Sequence, residues 1–208
     1  MHRPKFKIRL TSKSVTLFAF LLTASAAFSQ AQPQLDKSYE VSLQVIVGSS
    51  DRSETGSLPS NLRGITAQLK NTFPFTNYRL GATFIGRVTN NGGIDYKSVS
   101  NILGQESDSE TQTFLDWSMS GLRTVPAANG REGFQAQAFR FGARVPVKTG
   151  SVADSSGRST PIINYEQIGL GIVRIGFTEN TPTLIGTLSL PKTNGTLFLI
   201  ATVRTVEL

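Results

Sequence analysis

Residues 39–47 read Tyr-Glu-Val-Ser-Leu-Gln-Val-Ile-Val, with Tyr39, Val41, Leu43, Val45 and Val47 alternating against Glu40, Ser42 and Gln44. A period of two is what a β-strand shows when one face meets a core and the other meets water. The same period returns along the chain. Tyr78, Leu80, Ala82, Phe84 and Val88 fall on one side of a predicted strand, with Arg79, Thr83 and Arg87 on the other. Thr113, Leu115, Trp117 and Met119 alternate with Asp116 and Ser118, and Phe139, Phe141, Ala143, Val145 and Val147 continue one face of a strand over 134–147. Segments 162–177, 183–190 and 196–206 complete the pattern, separated by Pro182 and by Pro191-Lys192-Thr193-Asn194-Gly195. The run Leu197-Phe198-Leu199-Ile200-Ala201 is apolar at every position, which predicts a central strand covered on both faces.

The connections carry their own signals. Asn90-Asn91-Gly92-Gly93 accepts the positive φ that tight turns require, so it predicts a hairpin whose return strand is 94–99. Residues 48–57 and 104–112 are polar loops, 127–133 is a turn, and 148–160 (KTGSVADSSGRST) reads as a Gly/Ser-rich loop. One segment breaks the period of two. Leu62, Ile65, Leu69 and Phe73 recur at three- and four-residue spacing behind Pro59, predicting one amphipathic helix over 59–72 that Pro74 terminates. Gly64 weakens that helix by about 1 kcal/mol relative to alanine, so its apolar stripe must pack to hold it. No repeat of fixed period is evident.

Residues 1–31 read as an export signal: Arg3, Lys5, Lys7, Arg9 and Lys13 precede an apolar run over 15–27 (VTLFAFLLTASAA), which is short for a membrane span of roughly 20 residues. Small residues at Ala24-Ser25-Ala26 and Ser29-Gln30-Ala31 offer two cleavage sites, and Gln32-Pro33-Gln34 favours the second. Removal of that segment lowers the basic count from 21 to 16 against 14 acidic residues, leaving +2. The basic pI then belongs largely to the signal, and a nucleic-acid role based on net charge loses its support. About 177 residues remain, without cysteine and without the lone histidine, His2. The mature chain therefore cannot build Cys/His zinc sites, Ser-His-Asp triads or Cys-His dyads, and its stability must come from packing rather than disulfides.

Other chemical candidates are weak. Gly169, Gly171 and Gly176 do not match the spacing of a phosphate loop and fit close strand packing better. Glu106, Asp108 and Glu110 lack the loop and closing glutamate of a calcium site and read as solvated. Asp116 and Glu166 could form a glycosidase-type carboxylate pair, but two exposed strand residues explain them equally well. No G-x-S-x-G elbow occurs anywhere in the chain, so that serine mechanism is not supported. Asn194-Gly195-Thr196 matches a glycosylation acceptor, although a hairpin turn also explains Asn-Gly. Tyr78, Tyr96, Trp117 and Tyr165 are candidates for an aromatic binding surface, although apolar neighbours Leu115 and Met119 favour a core position for Trp117. The loop residues Lys148, Thr149, Gly150, Ser151, Asp154 and Arg158 are candidates for an interaction site.

From about Leu122 onward the chain resembles the core segment of bacterial secretins, the outer-membrane channels of secretion systems and type IV pili. The residues carrying this are Gly142-Ala143-Arg144-Val145-Pro146-Val147-Lys148-Thr149-Gly150-Ser151, then a Ser-rich loop, then Asn164-Tyr165-Glu166-Gln167-Ile168-Gly169-Leu170-Gly171-Ile172. They are similar to the family's succession of glycine, V-P, variable loop, aromatic and I/V-G-hydrophobic positions. Leu122-Arg123-Thr124-Val125-Pro126 is similar to the region leading into a core strand, and 188–203 to the closing turn and strand. Secretins carry a longer stretch before the closing strand than the ten or so residues separating Ile172 from Thr183, and their periplasmic ring modules have no room here.

The combined expectation is a mainly β fold, an antiparallel sandwich or secretin-core-like sheet with one helix. It occupies one domain over 32–208, with an N-terminal half at 36–120 and a secretin-like half at 121–208. The resemblance implies a non-enzymatic envelope protein of the periplasm or outer membrane, or an extracellular one. It would assemble by strand pairing with itself or with secretion or pilus proteins, without cofactor, metal or nucleic acid, and membrane association is open. A soluble ligand-binding module is the alternative.

Overall fold

The apolar alternation builds two antiparallel sheets in this computed structural model, which describes residues 37–50, 57–100, 102, 112–126, 132–153, 155–191 and 195–206. In the first sheet β1 (Ser38–Ser49) lies between β2 (Asn77–Thr89) and β9 (Thr196–Val206), and β8 (Thr183–Ser189) pairs with the far side of β9. The second sheet contains β3 (Gly93–Ser100), β4 (Thr113–Ser120), β5 (Arg123–Pro126), β6 (Glu132–Ala153) and β7 (Ser159–Thr178). Along β6, β7 occupies one edge, while β4 and β5 lie end to end on the other. All described residues belong to one compact unit, Asp36–Leu208. The sheets interleave the two halves expected from sequence, since β1 pairs with β9 and β4 with β6.

Both faces of the first sheet are covered. Val41, Leu43, Val45 and Val47 of β1 and Leu197, Leu199, Ala201 and Val203 of β9 pack against the second sheet. Ile46, Phe198 and Ile200 face the other way, toward helix α1 (Arg63–Thr72) and the 3-10 turn Ser60–Leu62 before it. This three-layer arrangement is why residues 197–201 are apolar at every position, and all five are fully buried. At ten residues α1 is too short to be stable alone in water, so its packing holds it. Leu62 and Leu69 are buried, and the Tyr78 hydroxyl donates to the Leu69 carbonyl at 3.0 Å, a second bond to the oxygen that already accepts from Phe73 N at 2.9 Å.

Most strands lie where the alternation places them, with β5 added and β6 and β7 longer than expected, and the faces differ in two places. Val45 pairs with Ala82 and Ile46 with Leu80, so Gly81 is an extra residue in β2. Tyr78 and Leu80 therefore face the helix, whereas Ala82, Phe84 and Val88 face the second sheet. The expectation that all five share one face is corrected by this bulge. In β6 Phe134 and Ala136 point into the core, yet so do Phe139, Phe141, Ala143, Val145 and Val147, a change of parity. It occurs where the ladder skips Gln137 and Arg174, and Arg174 takes φ 59.

The turn at 90–93 does not close the expected hairpin. Asn91 has φ 60, and Gly92 N donates to Thr89 O at 2.8 Å, but β3 then crosses to the second sheet and pairs with β4. Two contacts fix this crossing. Asn91 N donates to Leu122 O at 2.7 Å, tying the turn to the β4–β5 junction, and the Ile94 side chain occupies the space beside Gly86. A matching fit closes the opposite side, where a Leu170 methyl lies 2.9 Å from the position a β-carbon of Gly186 would take. The eight long strands thus run as a ring, β1-β2-β3-β4-β6-β7-β8-β9, with side-chain seams between β2 and β3 and between β7 and β8.

The segment at 148–160 is largely a β-ribbon rather than a loop, which corrects the sequence reading. Pairing continues through Lys148↔Ile163, Gly150↔Ile162, Ser151↔Pro161, Val152↔Thr160 and Ala153↔Ser159 after a register shift at Lys148/Gly150. Backbone ladder bonds form regardless of the Gly/Ser composition that suggested a loop, and Gly157, φ 78, lies in the turn between the two strands.

Candidate functional site

The fold separates the residues that sequence grouped as an aromatic surface. Tyr78 is buried with the helix, and burial pushes its hydroxyl pKa upward from the usual value. Trp117 is buried in the main core among Phe84, Phe139 and Tyr96, with the Tyr96 ring stacked at 19°. Tyr96 is half-exposed at the β2/β3 seam, where it also packs edge-on against Phe84. Tyr165 stands apart on the outer face of the second sheet, 44% exposed. Four aromatic side chains therefore sit in three environments, and the surface expected from them is not formed. Alternation explains this, because Trp117 shares the inward parity of Leu115 and Met119.

Lys148, Thr149, Gly150 and Ser151 lie on β6 in the projecting ribbon, Arg158 lies just before β7, and Asp154 is outside the described residues. Glu106, Asp108, Glu110 and Asn194 are also outside the described residues, as is the 1–31 segment. Asp116 pairs with Gly142 and Glu166 with Val145, positions of opposite parity on β6, so their carboxylates leave opposite faces of the sheet. That arrangement does not bring them together as a glycosidase pair requires. Gly169 fits the close-packing reading, since a β-carbon there would lie 2.7 Å from Phe141 O. Among the described residues no group of three or more His, Cys, Asp or Glu could hold a metal, and no helix is long and apolar enough to cross a membrane.

What the structure does assemble is a row on the outer face of the second sheet. Val99 pairs with Phe114, Phe114 with Arg144, and Arg144 with Gln167, placing four side chains across four strands on one face. The neighbouring row is Lys97, Asp116, Gly142 and Gly169. Between these rows lies a depression of about 590 Å³ lined by Lys97, Val99, Phe114, Asp116, Arg144 and Gln167. The Arg144 guanidinium carbon is 4.9 Å from the Phe114 ring centre, within cation–π distance. Tyr165 tilts against the same ring at 5.6 Å between centroids. Gly142 leaves space that the Asp116 carboxylate fills. The sequence reading left Phe114 unremarked and named Arg144 only within the secretin-like motif. The signal was present, because an aromatic residue on the outward parity of an amphipathic strand has no core to enter.

No protein-family model matches the chain, and no curated protein matches it. Among solved structures, the chain is similar to the type IV competence pilus secretin PilQ of V. cholerae, with a TM-score of 0.35 and 10% identity over 95% of this chain. It is also similar to the type III secretion injectisome secretin InvG of Salmonella, with a TM-score of 0.34 and 11% identity over 95% of this chain. In both cases the chain spans 66% of the length of the secretin it matches. Both neighbours are secretins, the family that the C-terminal motifs resemble.

Proposed function

We propose that this chain is a non-enzymatic cell-envelope protein, exported by its N-terminal segment, that assembles through strand pairing with itself or with a secretion or pilus apparatus. The observation that carries this reading is the edge of β7. Over its 20 residues β7 pairs with β6 alone among the described strands, and its other side meets β8 through side chains. A long unpaired edge presents a row of backbone donors and acceptors that template a further strand. Beyond Val147 the β6–β7 ribbon is exposed on both faces, with Val152 58% and Ile162 44% accessible. Two strands alone are marginal in water, so a third strand from another chain would stabilise the ribbon.

The test is fractionation of cells expressing the full chain, followed by size analysis of the protein with and without detergent. The expected result is a large membrane-associated assembly, and replacement of residues 149–162 by Asn-Gly should reduce it to monomers with the sheets intact. A monodisperse soluble monomer from the unaltered chain would overturn the reading.

A further inference from the structure

The geometry points to the outer face of the second sheet as a binding site for an acidic oligosaccharide, a pyranose chain carrying carboxylates. This inference is independent of assembly through strand edges. Three features on the face converge on that chemistry. First, Tyr165 stands 44% exposed beside the depression, its ring tilted 60° against Phe114, and the apolar C–H face of a pyranose packs on such a ring as another apolar surface would. Second, Asp116, Gln167 and Arg144 line or border it with planar groups that accept or donate two hydrogen bonds at once, the geometry that suits vicinal hydroxyls. Third, the outward rows from β3 to β7 carry Lys97, Arg140, Arg144 and Lys148 against Asp95 and Asp116, an excess of positive charge.

Charge complementarity therefore commits the face to an anionic occupant, and the exposed Tyr165 ring commits it to one with an apolar face. The depression is open and crosses four strands, which suits a chain more than an enclosed small molecule. Arg144 has a double part here: its guanidinium stacks on Phe114 while its N–H groups remain able to take a carboxylate in a bidentate pair.

The test uses protein purified from cells expressing the full chain, titrated calorimetrically with tetragalacturonate and with its fully methyl-esterified form. The expected result is saturable binding of the acid, at least tenfold weaker binding of the ester, and at least tenfold loss for both Arg144→Gln and Tyr165→Ala. Unchanged circular dichroism and thermal midpoint in both variants would show that the loss is local. Absence of saturable binding overturns the inference, as does equal affinity for the ester. A Tyr165→Ala variant that binds normally also overturns it, because a salt-sensitive polyanion surface needs no ring. Equal affinity for a tetraglutamate peptide would overturn the assignment to sugar.

Discussion

The carboxylate of Asp116 lies against Gly142 on the facing strand, with Oδ1 2.8 Å from the position a β-carbon of Gly142 would take. The nearest obstacle is the end of an exposed, rotatable side chain. Gly142→Ala should therefore change stability by less than about 0.5 kcal/mol, because the strand-entropy gain of alanine offsets the displaced carboxylate. Gly86→Ala should behave differently. There the obstacle is Ile94, packed against the core at a seam, and overpacking should cost about 1–3 kcal/mol. Urea denaturation of the two variants checks the contrast, and equal costs would contradict it.

Gly64 sits inside α1 with nothing within 4 Å of an added β-carbon. Gly64→Ala should raise stability by about 0.5–1 kcal/mol through the lower entropy of the unfolded chain. A higher thermal midpoint is the expected reading.

Tyr78 links β2 to the end of α1 through its hydroxyl, and its pKa lies above the usual value of 10.0 because burial disfavours the phenolate. A folded-state pKa above the unfolded one gives a contribution that is complete below pH 10 and is lost as pH rises through the folded value. Stability should fall above pH 10, and Tyr78→Phe should flatten that fall while costing about 0.5–1.5 kcal/mol at neutral pH from the lost hydrogen bond. Denaturant midpoints measured from pH 7 to 11 separate the two effects.

Leu199 is fully buried in the central strand and faces the second sheet. Leu199→Ala should cost about 2–5 kcal/mol, the transfer loss plus an unfilled cavity. A smaller loss in equilibrium unfolding would mean that the two sheets collapse onto the gap.

Strand positions, the helix and the burial of 197–201 were legible because each depends on local periodicity. The face of each residue was less so. In β2 the alternation of Tyr78, Leu80, Ala82 and Phe84 survives the bulge at Gly81, yet the bulge turns the first pair to the helix and the second to the other sheet. Nothing in a period of two records an extra residue opposite the partner strand. The turn at Asn91-Gly92 was legible as a turn, but the choice of β4 over β2 as partner for β3 depends on Leu122 and Gly86, which are distant in sequence or silent in pattern. The ribbon at 148–163 was hidden because Gly and Ser report backbone freedom, while ladder pairing reports what the neighbouring strand supplies. Phe114 and Arg144 were readable as outward residues, but their meeting across β4 and β6 required the register.

The two glycine-fitted seams make the ring of strands mechanically uneven. Within each sheet neighbouring strands are tied by backbone bonds that must break together, whereas at Gly86/Ile94 and Gly186/Leu170 the ties are methyl groups against bare backbone. Such contacts fix no register, so along these two lines the sheets are held edge to edge by the fit of side chains and by the core they share, not by a ladder.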